Sequence, residues 1–308
     1  MKRTFLYIMM AAALTACGHR ASNNAADTDS VSADMIQPLM SDVQFQKLTV
    51  DSIGLEREDS TAIVKISIDW PVDGDEALVK SIRQYLCEEL ATSPNQEGKP
   101  EVKFFTDGKE AVNYAFKKQH KELSDGWKEM RAVSYDNMPF EHGLRSSLEE
   151  ETDSYVTYLT NSEGFLGGAH GYATSTGQTF RKSDGKRLGY RTEYNQKTEK
   201  FEIKDQTLFA DPKSPKLYAL IKEGVRSYFL EFEEGVKNDE NLKDLLIDVE
   251  DVNKIPLPSS APYFTKDGLC FIYQQYEIAP YASGMINFTI PYDKIRQLLT
   301  EDAQDLLR

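Results

Sequence analysis

The chain of 308 residues carries 36 Lys and Arg against 50 Asp and Glu, a formal net charge of −14. That balance excludes the broad basic face that neutralises phosphates, so nucleic acid is not an expected partner. About 265 residues beyond the N-terminal region are enough for one large domain or two small ones.

Lys2 and Arg3 precede the apolar run Phe5–Ala13, and Leu14-Thr15-Ala16-Cys17 follows it. A basic start, a short apolar core and small residues before a cut site mark a secretory signal. The run is too short to cross a bilayer as a helix, which takes roughly 20 residues. The Leu-Thr-Ala-Cys end resembles the lipobox of bacterial lipoproteins, in which the Cys is lipidated and becomes the new N-terminus. The expectation is a signal peptide over 1–16, lipidation at Cys17 with acyl chains such as palmitate, and a flexible tether over 17–42. The lipid bilayer of the cell envelope is then a partner through Cys17. No acidic run follows the Cys, which favours the periplasmic face of the outer membrane. Removal of Lys2 and Arg3 with the signal leaves 34 basic against 50 acidic residues, a net charge of −16.

In chain order, Val64, Ile66, Ile68 and Trp70 alternate with polar residues as in a half-buried strand that Pro71 should stop. Asp73-Gly74-Asp75 offers a turn and cap, and Leu78, Ile82, Tyr85, Leu86 and Leu90 follow at helical spacing, predicting a helix over 76–91. A second helix is expected over 108–124. Strands are expected over 128–136 and 153–160. Between Gly167 and Leu188 a loop and a β-hairpin turn at Ser183-Asp184-Gly185-Lys186. Ser214-Pro215 opens a helix burying Leu217, Ile221, Val225 and Phe229, and a short helix is expected over 239–247. Leu269 to Tyr276 and Met285 to Ile290 alternate as strands, and Pro291 starts a closing helix. Strand runs and helix runs in separate blocks predict an α+β domain with antiparallel sheets, in two halves over 43–160 and 161–308. Cys87 and Cys270 sit in periodic segments where buried thiols are common, and an oxidising envelope also allows them to pair.

The chemistry-bearing motifs are few. The sequence contains no Gly-x-Ser-x-Gly elbow, no phosphate-binding Gly-x-x-x-x-Gly-Lys and no His-Glu-x-x-His zinc helix. His19 falls in the tether, His120 reads as a solvated side chain on a helix, and His142 reads as a loop residue. No catalytic residue, metal site or cofactor is expected. Two segments stand out. Gly167-Gly168-Ala169-His170-Gly171-Tyr172 follows a strand and packs three glycines into five residues; it reads first as a tight bend and second as a ligand loop with His170 as donor or acceptor. Tyr276-Glu277-Ile278-Ala279-Pro280-Tyr281-Ala282-Ser283-Gly284 reads first as a structured connection, and second as an aromatic surface for a sugar or a protein. Gly167, Gly168, His170, Tyr172, Tyr276, Glu277 and Tyr281 are therefore the candidate ligand-binding residues.

These same segments carry a family likeness. Gly167-Gly168-Ala169-His170-Gly171, Asp184-Gly185-Lys186 and Asp205-Gln206-Thr207-Leu208-Phe209 form one half of the pattern. Phe264 to Leu269, Tyr276 to Gly284 and Ile290-Pro291-Tyr292 form the other. Together they resemble the extracytoplasmic domain of RsiV-type anti-sigma factors, which also occurs beside the catalytic domain of PdaC-type peptidoglycan deacetylases. The likeness covers roughly residues 60 to 305. It implies an α+β ectodomain that binds lysozyme directly, and it implies no reaction. The chain departs from the family in carrying a lipobox where the transmembrane helix and sigma-binding segment would stand, and it lacks the deacetylase Thr-Phe-Asp-Asp and His-x-x-x-His. The expected function is non-enzymatic binding of lysozyme or a similar cationic protein. The alternatives are a peptidoglycan or polysaccharide binder and, behind both, a hydrolase around His170.

Overall fold

The structure, a computed structural model, describes residues 45–94, 100–131, 138–197, 200–231, 236 and 238–308. The expected signal peptide, Cys17 and the tether, with His19, lie outside the described residues. In chain order the elements are β1 Thr49–Glu58, β2 Ala62–Asp73, α1 Glu76–Ala91, α2 Gly108–Arg131, β3 Phe140–Glu151, β4 Tyr155–Phe165, β5 Tyr172–Arg181, β6 Arg187–Leu188, β7 Arg191–Asn195, β8 Lys200–Lys204, α3 Pro215–Leu230, α4 Asp239–Leu245, β9 Tyr263–Thr265, β10 Gly268–Tyr273, β11 Ile286–Ile290, α5 Tyr292–Ile295 and α6 Glu301–Gln304. The class is α+β, as the alternation and helical spacings predict.

Strands β1 to β6 form one sheet in sequence order. All its pairs are antiparallel except β2 with β3, which run parallel with Val64 beside His142. The sheets are antiparallel-rich, as expected; the one parallel pair in this sheet is joined through α1 and α2, the long crossover that a parallel pair requires. Both helices place their apolar stripes on one face of the sheet. Leu78, Ile82, Leu86, Val112 and Leu123 join Val64, Ile66, Ile68 and Trp70 in a cluster with almost no solvent exposure. Each such aliphatic side chain contributes roughly 1.5–3 kcal/mol on burial.

A second hydrophobic cluster lies in the C-terminal part. It gathers α3 (Leu217, Ile221, Val225, Phe229), β9 to β11 and the closing helices, and takes in Tyr155 and Leu188 from the large sheet. Strands β11, β10 and β9 form its three-stranded antiparallel sheet. The short strand β9 joins this sheet to β4 and β5. Thr157 Oγ1 donates to Phe264 O at 2.9 Å and Phe264 N donates to Thr179 Oγ1 at 3.0 Å. Strand β4 runs through residue 160, where the two halves were expected to meet.

Several local expectations change. Pro71 does not stop β2, which continues to Asp73; Pro71 pairs with Val50 beside a register shift, a position where the ladder tolerates the missing N–H. The strand expected over 128–136 is helix through Arg131, because Trp127 continues the buried face begun by Leu123, and 132–136 lie outside the described residues. His142 is not in a loop but on β3, and is buried. His120 is not freely solvated: its Nε2 lies 2.9 Å from Asp59 Oδ2 with the ring largely covered. Cys87 and Cys270 are both buried and both free. The short helix expected to reach 247 ends at Leu245.

One charged pair is enclosed by the fold. Lys182, 3% exposed, donates to Glu151 at 2.7 Å, and the same carboxylate oxygen accepts Leu48 N at 2.8 Å. The pair ties β3 to the chain just beyond β5 and to the lead-in of β1. Removing one partner of a buried pair leaves the other charge uncompensated, at a cost of roughly 3–5 kcal/mol. Lys182→Met should therefore destabilise the protein by about 3 kcal/mol in urea denaturation; a loss under about 1 kcal/mol would mean that water already solvates Glu151.

Candidate functional site

The two motif segments, about a hundred residues apart in the chain, meet at one end of β5. The first is the connection from β4 to β5. Gly167 and Gly168 take φ of +84° and +91°, values that a side chain would resist, and so turn the chain sharply enough to present Ala169 and His170 outward. The second is the connection from β10 to β11, which runs through a single helical turn at Tyr281–Ser283.

The second loop is fastened to β5. Strand β6 pairs with β5 only at Thr179 and Phe180, so the edge of β5 nearer the loop has unpaired backbone groups. Gln274 and Gln275 supply the partners. Ser175 N donates to Gln274 Oε1 at 3.0 Å, Gln274 Nε2 returns a bond to Ser175 O at 2.8 Å, and Ala173 N donates to Gln275 Oε1 at 3.2 Å. Glu277 turns inward, where Gln274 N and Ser259 N both donate to its carboxylate. Burial pushes its pKa up against those two hydrogen bonds. From the other side, the Tyr228 hydroxyl on α3 donates to Ser283 O at 2.7 Å.

So held, the loops stack three aromatic rings. His170 lies on Tyr281 with ring centroids 3.9 Å apart and an interplanar angle of 22°, and Tyr276 closes the group at 6.0 Å from His170 and 5.7 Å from Tyr281. His170 Nδ1 lies 2.8 Å from Gly171 O, a pure acceptor, so Nδ1 carries the hydrogen. In the neutral ring Nε2 is then the acceptor, and the Tyr276 hydroxyl donates to it at 3.2 Å. Tyr276 is 54% exposed and its backbone sits at φ +66°, where a bulky L residue is rare and costs about 1–2 kcal/mol. A strained backbone under an exposed ring is the kind of local cost that the surrounding structure must over-determine.

Of the seven candidate residues, the structure brings His170, Tyr276 and Tyr281 together at the surface, with Gly167 and Gly168 shaping the loop. Tyr172 and Glu277 point inward. The Tyr172 hydroxyl lies 2.6 Å from His142 Nδ1, and Glu277 serves the backbone. Gln274, Gln275, Tyr228 and His142, which hold the loops, carry no motif that sequence reading could single out. Among the described residues no group of three or more His, Cys, Asp or Glu could hold a metal ion.

The fold and site define an α+β module that presents an aromatic surface built from two loops. Residues 206–293, which include the whole second loop, match the family described as a protein of unknown function, DUF3298. No curated protein matches the chain. Among solved structures, a member of the DUF3298 family from Bacteroides fragilis is similar over 83% of this chain and 94% of its own, with 19% identity and a TM-score of 0.61. A DUF3298 family protein from Pseudomonas aeruginosa is similar over 84% of this chain and 98% of its own, with 13% identity and a TM-score of 0.55. At these identities the likeness is one of fold.

If the Tyr276 backbone is strained for the sake of its exposed ring, Tyr276→Gly should leave stability unchanged or raise it by up to about 1 kcal/mol, since glycine adopts this φ freely. A loss of more than about 1 kcal/mol in denaturant titration would make the ring a structural element instead.

Proposed function

We propose that this is a non-enzymatic recognition module of the cell envelope, which binds a cationic, envelope-active protein of the lysozyme class through the His170–Tyr276–Tyr281 surface. The observation that carries the reading is the three-ring cluster, with His170 and Tyr276 exposed and Tyr281 half-buried, assembled from two distant loops at a cost in backbone strain. Tyrosine is enriched among residues that dominate binding energy, because it offers a large rigid face with a polar tip. The expected net charge of −16 adds long-range attraction for a cationic partner. The segments that resemble RsiV-type ectodomains, which bind lysozyme, include both loops. The lipobox-like Leu14-Thr15-Ala16-Cys17 supports a lipid anchor at Cys17, and the lack of an acidic run after the Cys favours the periplasmic face of the outer membrane. No helix of the described residues is long and apolar enough to cross a membrane.

A second reading, a peptidoglycan or polysaccharide binder, draws on the same rings, since exposed tyrosine faces also suit sugars. A hydrolase around His170 has less support, because both ring nitrogens are engaged by Gly171 and Tyr276.

Calorimetric titration of residues 35–308 with lysozyme at low and moderate salt tests the reading. The expected result is saturable one-to-one binding that weakens with salt, as screening of exposed charges requires. Tyr281→Ala and Tyr276→Ala should each weaken it by about tenfold, the equivalent of roughly 1.4 kcal/mol. No heat at either salt would contradict it and leave the glycan reading in front, to be tested by pull-down on peptidoglycan with the same variants.

A further inference from the structure

Beneath the first loop lies a buried histidine that the aromatic surface does not use. His142 on β3, Gly164 on β4 and Tyr172 on β5 occupy one row across the sheet, paired in register. A Cβ on Gly164 would fall 2.8 Å from the Tyr172 hydroxyl and 2.0 Å from Glu141 O. The glycine is what lets side chains from β3 and β5 meet over the strand between them. His142 is 3% exposed; its Nδ1 lies 2.6 Å from the Tyr172 hydroxyl, and its Nε2 is buried without a hydrogen-bond partner among the described residues.

We infer that this row is an acid-sensitive latch: His142 and Tyr172 hold the base of the Gly167–Tyr172 loop closed while His142 is neutral, and protonation of His142 frees the loop and disperses the aromatic cluster. The inference rests on the reading of that cluster as a binding surface. The Tyr172 hydroxyl can donate to Nδ1 or accept from it, so it satisfies Nδ1 in either protonation state. The doubly protonated ring then has an Nε2–H with no acceptor among the described residues and a buried charge with no counterion contributing. The neighbouring polar and charged groups on β4, Ser162 and Glu163, act on the Tyr172 hydroxyl and not on the His142 ring. The register neighbour from β2 is Val64, from β4 Gly164 and from β5 Tyr172, while α2 lays Leu123 and Trp127 into the adjoining cluster. Burial alone draws the His142 pKa from 6.5 down to about 4, with no charged side chain contributing. Tyr172 stays a neutral hydroxyl throughout, its pKa pushed to about 12 by burial. The cheapest escape is separation of the loop end of β5 from β4, which exposes the ring to water.

The sign follows from linkage. The opened loop binds a proton with the ordinary histidine pKa near 6.5, whereas the closed loop binds it only near 4. Closure is therefore indifferent to pH above 6.5 and is weakened as pH falls between 6.5 and 4.

Hydrogen exchange on the full-length protein in detergent micelles reads the latch without any ligand. Corrected for intrinsic rates, protection of the amides at the loop end of the β4–β5 hairpin should fall by about tenfold per pH unit between 6.5 and 4, the slope of one linked proton. Amides of β10 and β11 should not follow. His142→Asn, whose amide oxygen can accept from Tyr172 but does not titrate, should flatten the profile. Tyr172→Phe should lower protection of the same amides already at pH 7. In the wild-type protein the His142 imidazole resonance should titrate near 4 rather than near 6.5, which decides the point even if a variant fails to fold. A flat wild-type profile, an unchanged acid response in His142→Asn, or a parallel loss of protection in β10 and β11 would overturn the latch. Failure of lysozyme to bind at any pH would count against the proposed function alone, because the exchange measurement involves no partner.

Discussion

Everything the candidate surface does depends on how the free edge of β5 is closed. A strand edge with unpaired amides and carbonyls is a place where proteins either lose order or pair with something else. Here two consecutive glutamines close it, their side-chain amides standing in for the backbone of a missing strand. Because the contact is made by side chains, the chain that follows is not drawn into the sheet. It stays a loop, fixed at its root, with Tyr276 and Tyr281 carried outward. The inward carboxylate of Glu277 and the Tyr228 bond to Ser283 hold the same loop from its other sides.

Rigidity at the root favours the recognition role proposed for the rings. An aromatic side chain on a wandering loop loses on binding much of what its face contributes, whereas one already held in position does not. The left-handed backbone at Tyr276 shows the same economy in local terms: about 1–2 kcal/mol of strain is tolerated because the surrounding bonds over-determine the loop. The first loop is held in a different way. Besides the β4–β5 ladder and the glutamine bonds, its base carries a buried His142–Tyr172 bond across Gly164, so the two halves of the surface differ in what can release them. The second depends on amide and carboxylate bonds to backbone, and the first on the protonation of one ring.

Much of the architecture was legible in the sequence because it follows from periodicity. The helix over 76–91, the turn at Ser183–Lys186, the Ser214-Pro215 helix start and the strand from Leu269 all appear within a few residues of their expected places. Strand β1 was not legible: Thr49–Glu58 is an edge strand with most residues exposed, so its apolar alternation is too weak to register. The end of α2 was misread because Trp127, a good strand residue, also continues the helical stripe from Leu123. The two candidate loops stood out through their glycines and tyrosines. Their meeting did not, since contact between residues 170 and 276 is a product of topology. Nor could the sequence distinguish Tyr172 and Glu277, which point inward, from Tyr276 and Tyr281, which point out; that choice is made by the sheet row of Gly164 and by two backbone amides.

The central claim is that two loops distant in sequence act as one recognition surface. The most direct test is chemical-shift mapping of isotope-labelled protein during a lysozyme titration. The account predicts that perturbed resonances cluster in both 167–172 and 274–284, saturating together. Perturbations confined to one loop, or scattered over other surfaces with both loops unmoved, would contradict it.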